Sequence, residues 1–491
     1  MEQIKTFIQS AAGVVWGWPQ FFPLMVLMLL GSGIYVTFRL RWIQLFNLRH
    51  SIDAVRGKYS DPHDPGDISH FETISAVLSA TVGIGNIAGV ATAIYYGGPG
   101  ALFWMWITAV FGMALKYAEA TLAVRYRVIN SDGSASGGPM YYIEKGLGPK
   151  WKPMAVAFAA FAVISSMGTG NSIQAFTCAD QILSEFKLAL SPGSALITPI
   201  KFIGISVEPV RIFTGLFLAS AVALVILGGI RRIGRVTSYL SPIMALIYFT
   251  AGVLILAMNW RHILPAFATI ITEAFKPRAE LVGFAGGGFL LFLNTMIWGV
   301  KRGLFSNEAG QGSAPIGHAA SKTKEPAREG VVSMLGPFID TLVVCSVTGL
   351  VIVLTESHEV LLNGSRMNSS PLTAFAFKTG LSPIFAYGDK IVTLSVFLFA
   401  VSTAISWSYY GDRAAEYLFG PKAIIPYKWV YVCFHFIGAI VPLEVVWGFG
   451  DVALGLMAVP NLIALIVMSG QVKRITNDYF SRRSEWEKRK K

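Results

Sequence analysis

Ten parts of this chain run free of Asp, Glu, Lys and Arg for long distances. They lie between Lys5 and Arg39, Glu72 and Lys116, Pro153 and Asp180, Arg211 and Arg231, and Arg235 and Arg261. They continue between Glu280 and Lys301, Asp340 and Glu356, Lys390 and Asp412, Lys428 and Glu444, and Asp451 and Lys473. A helix needs about 20 mostly apolar residues to cross the hydrocarbon of a bilayer. The second stretch is too long for one helix, and its Gly97-Gly98-Pro99-Gly100 turn divides it, so eleven spans are expected. Hydrophobic residues make up 54% of the 491 and charged residues 14%, against about 25% in a soluble protein. The chain reads as an all-α integral membrane protein.

Threading the spans alternately tests that reading against loop charge. One side then takes the segments 39–72, 125–152, 231–235, 301–328, 413–428 and 473–491, which hold 29 of the 40 Lys and Arg. Positive charge accumulates on the cytoplasmic side, so the N-terminus is expected outside and the basic tail inside the cytoplasmic membrane. The net charge of +12 therefore reads as topology. The basic residues do not interleave with aromatics as a nucleic-acid surface requires. Cys178, Cys345 and Cys433 are too far apart for a zinc site or a disulfide framework and read as small core residues.

With the first span set aside, ten remain, divisible as five plus five, and an odd number forces the second half to run inverted. The expected divisions are 1–69 (extra N-terminal helix and loop), 70–260 and 261–472 (the two repeats) and 473–491 (the tail). The opening span of each half contains a glycine group, Gly83-Ile84-Gly85 in one and Gly286-Gly287-Gly288 in the other. Paired glycine-interrupted helices at matching positions point to a transporter's midplane site, although close helix packing also uses glycine.

The run Ser79 to Gly89 carries most chemical information. Two glycines and Asn86 at membrane depth suit an unwound backbone, which a bilayer tolerates only where it is buried in protein or lines a cavity. Unwinding frees carbonyls of Ser79, Thr81 and Val82 for a hard cation, and amides at Gly85 and Asn86 for a carboxylate. Ser402 and Thr403 offer two further neutral oxygens, with the Phe399 carbonyl one turn earlier, although such hydroxyls often bond back to their own helix. Asn171 and Gln174 share a helical face and either join helices or read a polar substrate. Phe176 and Trp407 are of a type to wall a small apolar pocket. Lys116 and Glu119 read as a mutually neutralising pair, and Asp340 as a proton relay or a charge near the cytoplasmic interface. The chain has no metal-ligand cluster, phosphate-binding lysine motif or nucleophile elbow, so neither an enzyme nor an ATP-driven pump is expected, and no cofactor.

These residues resemble the alanine or glycine:cation symporter family, the sodium:alanine symporters, from about residue 70 to 470. The resemblance is carried by GNIAGVATAI (85–94), GGPGALFWMWITAVFGMALKYAEATLAVRYR (97–127), GVKRGLFSNEAGQGSAPIGHA (299–319), GPFIDTLVVC (336–345), SWSYYGD (406–412) and LMAVPNLIAL (456–465). It implies a leucine-transporter-type fold, a 5+5 inverted repeat with one extra N-terminal helix, and alternating access coupled to sodium. It also implies a sodium site of the Ser79, Val82 and Phe399 carbonyls with the Ser402 and Thr403 hydroxyls. A substrate carboxylate would meet the unwound segment (Thr81, Gly83, Gly85, Asn86), with Asn171, Gln174, Phe176, Gly287, Phe289 and Trp407 lining the rest. The chain departs from the family at Ile84 and Phe176, where Thr and Asn are common, which makes the pocket more apolar or alters its size.

The expected function is sodium-coupled uptake of a small neutral amino acid such as alanine or glycine, in contact with membrane lipid and not with nucleic acid. A proton-coupled carrier using Asp340 or the Lys116 and Glu119 pair is the nearest alternative. An amino-acid sensor or a channel comes next.

Overall fold

The computed structural model describes residues 2–19, 23–130, 134–191, 193–202, 204–278, 287–362 and 364–482, with the backbone alone at Glu2, Ile4, Ile230, Arg231, Leu362, Leu443 and Glu444. The main helices are α1 (Glu2–Gly17), α2 (Leu24–Arg39), α3 (His70–Thr81), α4 (Ala88–Gly97), α5 (Ala101–Tyr126), α6 (Lys152–Met167), α7 (Ile173–Ala189), α8 (Pro209–Ile226) and α9 (Gly229–Met258). They continue with α10 (Trp260–Phe275), α11 (Gly288–Asn307), α12 (Ala314–His318), α13 (Pro326–Ser333), α14 (Ser346–Leu354), α15 (Ser369–Leu381), α16 (Gly388–Phe419), α17 (Ile424–Ile440) and α18 (Leu443–Ser481). Three two-stranded antiparallel hairpins connect helices outside the bundle. Among the described residues eight helices are long and apolar enough to cross a membrane, or nine when α3 and the bent segment after it count as one span.

Three sequence expectations change. The single N-terminal span becomes two 16-residue helices, α1 and α2, which pack on α18; α2 also packs on α5. Pro19 and Pro23 fall between them, and neither has an N–H to continue a helical ladder. The span expected between Glu280 and Lys301 is instead α11, which runs on to Asn307. Lys301 and Arg302 therefore sit inside a helix, both paired with Asp451 of α18, rather than in a loop. The span expected from Asp340 begins much earlier, at Pro326, because Arg328 and Glu329 are buried and hydrogen-bonded within the protein. Reading spans from runs free of charge fails wherever a charge finds a buried partner. Cys178 and Cys345 are buried, whereas Cys433 is exposed on α17.

Described residues from each of the six segments that alternate threading puts on one side meet at one end of the bundle, Lys301 and Arg302 inside α11 excepted. Arg127 is the clasp there. It donates to the carbonyls of Ala319 (2.7 Å), Ser321 (2.6 Å), Pro65 (2.8 Å) and Thr323 (2.7 Å). Burial lowers the pKa of this guanidinium, and the four carbonyls replace the water it has lost. Ser136 donates to Glu416, Tyr417 to Glu144, and Arg482 to Glu325, while Gly234 faces Ile68.

Candidate functional site

α3 starts with a capping box, in which Ser69 and Glu72 satisfy each other's backbone amides, and stops at Thr81. The chain then passes Val82 and an extended Gly83, makes one short turn at Ile84–Asn86, and resumes as α4 with a bend of 54°. Asn86 holds the break open. Its Oδ1 accepts from the Gly83 amide (2.8 Å), so a side chain substitutes for the missing helical acceptor. The Asn86 amide is taken by the Gly83 carbonyl (3.2 Å), which leaves Ile84 and Gly85 as the residues whose amides open the turn. The whole segment is buried in protein.

Four of the five residues expected to hold sodium meet beside this break, across more than 300 residues of sequence. The Ser79 carbonyl accepts from Thr403 Oγ1 (3.1 Å) and from Ser402 Oγ (3.4 Å). Ser402 Oγ also reaches the Phe399 carbonyl (3.2 Å), and Ser79 Oγ donates to the Ser402 carbonyl (3.2 Å). Val82, the fifth, caps α3. A Cβ on Gly83 would stand 2.4 Å from Thr403 Oγ1, so glycine is what lets α16 approach. No group of three or more His, Cys, Asp or Glu side chains suited to a metal occurs among the described residues, and this knot consists of carbonyl and hydroxyl oxygens. Such neutral, hard donors fit an alkali cation, which demands neither nitrogen nor sulfur.

A second break lies at residues 308–313, between α11 and α12, a place the glycine group Gly286-Gly287-Gly288 did not mark. Gly286 is outside the described residues. Gly287 caps the start of α11, and Phe289 is 55% exposed beside it. α11 has 20 residues, so both stand about 30 Å from the break at its other end and do not line it. Glu308, Gly310 and Gly312 adopt φ of 56°, 81° and 87°, which no continuous right-handed helix permits. The missed signal is a second Gly-x-Gly: Gly310-Gln311-Gly312 before Ser313 matches Gly83-Ile84-Gly85 before Asn86.

Side chains from other helices hold this second break. Trp407 Nε1 donates to Glu308 Oε1 (2.8 Å) and Ser313 Oγ to Glu308 Oε2 (2.6 Å). Glu119 accepts from the Gly312 amide (3.1 Å) and from Asn461 (2.6 Å), which also donates to the Gly310 carbonyl (2.9 Å). Glu119 thus braces a helix break as well as facing the charge of Lys116, whose buried Nζ makes no hydrogen bond. Gln311 is fully buried with both side-chain polar atoms unpartnered.

Asp340 joins the two breaks. It accepts from Asn86 Nδ2 (2.6 Å) of the first, from Ser306 Oγ (2.7 Å) just before the second, and from Thr341 Oγ1 (2.7 Å). It is wholly buried in a π-helical stretch, Phe338–Cys345, so it is no interface charge. A second π-turn, Gly168–Ser172, brings Gly170 against the Trp407 ring; such bulges recur at functional sites.

The remaining expected residues scatter. Thr81 turns its hydroxyl back to the Val77 carbonyl (3.1 Å). Asn171 joins helices, donating to the Tyr431 carbonyl (2.6 Å) and accepting from His435. Gln174 Nε2 bonds the Thr169 carbonyl (3.2 Å), leaving its Oε1 unpartnered. Phe176 lies under the Arg211 guanidinium (4.8 Å), which pairs with Asp180. Gly85 faces helix α11, where a Cβ would meet Phe305 at 3.1 Å and the Ser306 backbone at 3.2 Å. On the Arg127 side, His70 and His318 (each 2.6 Å) clamp Glu329, tying α3 and α12 to α13.

With this geometry in hand, comparisons with known proteins agree on its kind. A family model described as the sodium:alanine symporter family matches residues 1–491. The sodium/alanine symporter AgcS of Methanococcus maripaludis is 44% identical over 95% of each chain. The probable sodium/glutamine symporter GlnT of Bacillus subtilis is 31% identical over 98% of this chain and 91% of its own. Among solved structures, MhsT in complex with L-phenylalanine has the same fold, with a TM-score of 0.57 at 14% identity, over 84% of this chain and 93% of that one.

Proposed function

The chain belongs to the sodium:alanine symporter family, and from that premise we propose that it takes up a small neutral amino acid together with sodium across the cytoplasmic membrane. It is a multi-pass, cation-coupled amino-acid transporter, and its relatives are transporters rather than enzymes. In our reading the two five-helix halves are inverted repeats, with the breaks at 82–87 and 308–313 as their matching elements. The end clasped by Arg127 faces the cytoplasm, because the segments gathered there carry most of the loop cations.

The knot of Ser79, Phe399, Ser402 and Thr403 oxygens against the first break is the observation that carries this reading. Sodium would replace the mutual hydrogen bonds there, drawing on the same carbonyls and hydroxyls together with Val82. The substrate carboxylate would meet the amides of Ile84 and Gly85, and Trp407, held by Glu308, would wall the pocket. Sodium and amino acid then stabilise one arrangement of the same segment, so each raises the other's affinity by an equal factor. Replacing sodium by choline at fixed pH should abolish concentrative uptake of labelled alanine into proteoliposomes; undiminished uptake rejects sodium coupling.

Asp340 supports a second reading. A wholly buried carboxylate that bridges both breaks is placed to couple a proton instead of sodium. Uptake driven by a pH gradient without sodium would favour it.

A further inference from the structure

A cavity of about 100 Å³ lies between α4, α11 and α18 and the residues that open α15, lined by Thr92, Trp298, Arg302, Ser369, Trp447 and Asp451 among others. It is separate from both breaks. Phe305, one helical turn beyond Arg302, packs on Trp447 at 5.1 Å between ring centroids and reaches the position a Gly85 Cβ would take. Thr92 stands six residues past Asn86 on the continuing segment, about 9 Å farther along the helix. The cavity is therefore the compartment next to the first break, with Phe305 as the partition.

Its polar groups are incompletely satisfied in one particular sense. Asp451 is the carboxylate for two cations, Lys301 (2.5 Å) and Arg302 (2.9 Å). Arg302 is 1% exposed and spends only Nη2 on Asp451, leaving Nε and Nη1 with no partner. The indole Nε1 of buried Trp447 is likewise unpartnered. The guanidinium stacks near Trp447 (4.4 Å) and Trp298 (5.3 Å), but stacking satisfies the faces of the group and not its in-plane N–H donors. A protein seldom retains several buried donors unmatched unless something else matches them. Two cations to one carboxylate leave a surplus positive charge, so the missing partner is an anion, and a guanidinium edge accepts a carboxylate side-on.

We propose that this cavity is a second binding site for the α-carboxylate of an amino-acid zwitterion, a staging post before Phe305 yields to the central site. Arg302 Nε and Nη1 and Trp447 Nε1 are the donors. Asp451 remains paired with Lys301 while facing the ammonium. The inference rests on the reading of the chain as an amino-acid transporter.

Trp447→Phe tests it, because it keeps the ring and removes one donor. In proteoliposome uptake of labelled L-alanine driven by an inward sodium gradient, it should raise the half-saturating concentration about tenfold, since a hydrogen bond to a charged group is being lost. Maximal rate and half-activating sodium should stay unchanged. L-Alaninamide, which lacks the carboxylate, should compete equally against wild type and variant. Arg302→Gln should act in the same direction more strongly, and if it does not fold, Trp447→Phe decides alone. An unchanged half-saturation in Trp447→Phe, or an equal loss of L-alaninamide competition, overturns the site while leaving the transporter reading intact. Absence of sodium-dependent alanine uptake by the wild type overturns both.

Discussion

The break at 82–87 contains no charged residue, whereas the break at 308–313 opens on the buried carboxylate of Glu308. The first is kept apart by one side chain, Asn86, and faces a cluster of neutral oxygens on α16. The second is held from three directions, by Trp407, Glu119 and Asn461, and by residues in left-handed conformations. A neutral lining leaves a site free to gain a cation without a permanently buried counter-charge, whose desolvation is costly. A carboxylate already matched by two donors resists rearrangement. On the proposed mechanism ligand exchange would fall to the first break and scaffolding to the second, with Asp340 linking them.

Three substitutions can break that division. Asn86→Ala should have the largest effect, since it unpairs the Gly83 amide and removes a donor from Asp340. Stability should fall by about 3 kcal/mol or more, with uptake lost, as read by thermal unfolding in detergent and by proteoliposome flux. Thr403→Ala should raise half-activating sodium about tenfold, the worth of one strong contact, while maximal rate changes little; unchanged sodium dependence would remove Thr403 from the site. Glu308→Gln should have the smallest effect. Its amide nitrogen cannot accept from Trp407 or Ser313, so about 1–3 kcal/mol of stability should be lost with half-activating sodium unaltered. A shift in sodium activation by Glu308→Gln equal to that by Thr403→Ala would erase the distinction between the breaks.

Much of the first break was legible because its causes are local. Gly83, Gly85 and Asn86 are adjacent in sequence, and Ser402 with Thr403 stood out as hydroxyls in an apolar span. The second break was hidden behind a denser glycine run at 286–288, of which Gly287 and Gly288 open a helix. Glycine content reports where a helix can yield, not where neighbours compel it to. The partners of Phe176, Asn171 and Thr81 were not legible, because a polar or aromatic side chain in a span has many candidate partners that only the fold selects. Asp340 stood out as an ionisable residue beside a span, but the convergence of Asn86 and Ser306 on it belongs to the fold.

By itself the sequence determined the membrane class, the family resemblance and the place where the first helix must yield, since apolar length and glycine spacing act over a few turns. Tertiary structure alone decided which charges are buried and which glycines unwind. Lys301 and Arg302 are buried in a helix only because Asp451, about 150 residues away, pairs with them, and 308–313 unwinds only because Trp407, Glu119 and Asn461 receive its backbone and carboxylate. Burying a charge or opening a helix is unfavourable until a partner is supplied, and those partners come from parts of the chain that meet only in the fold.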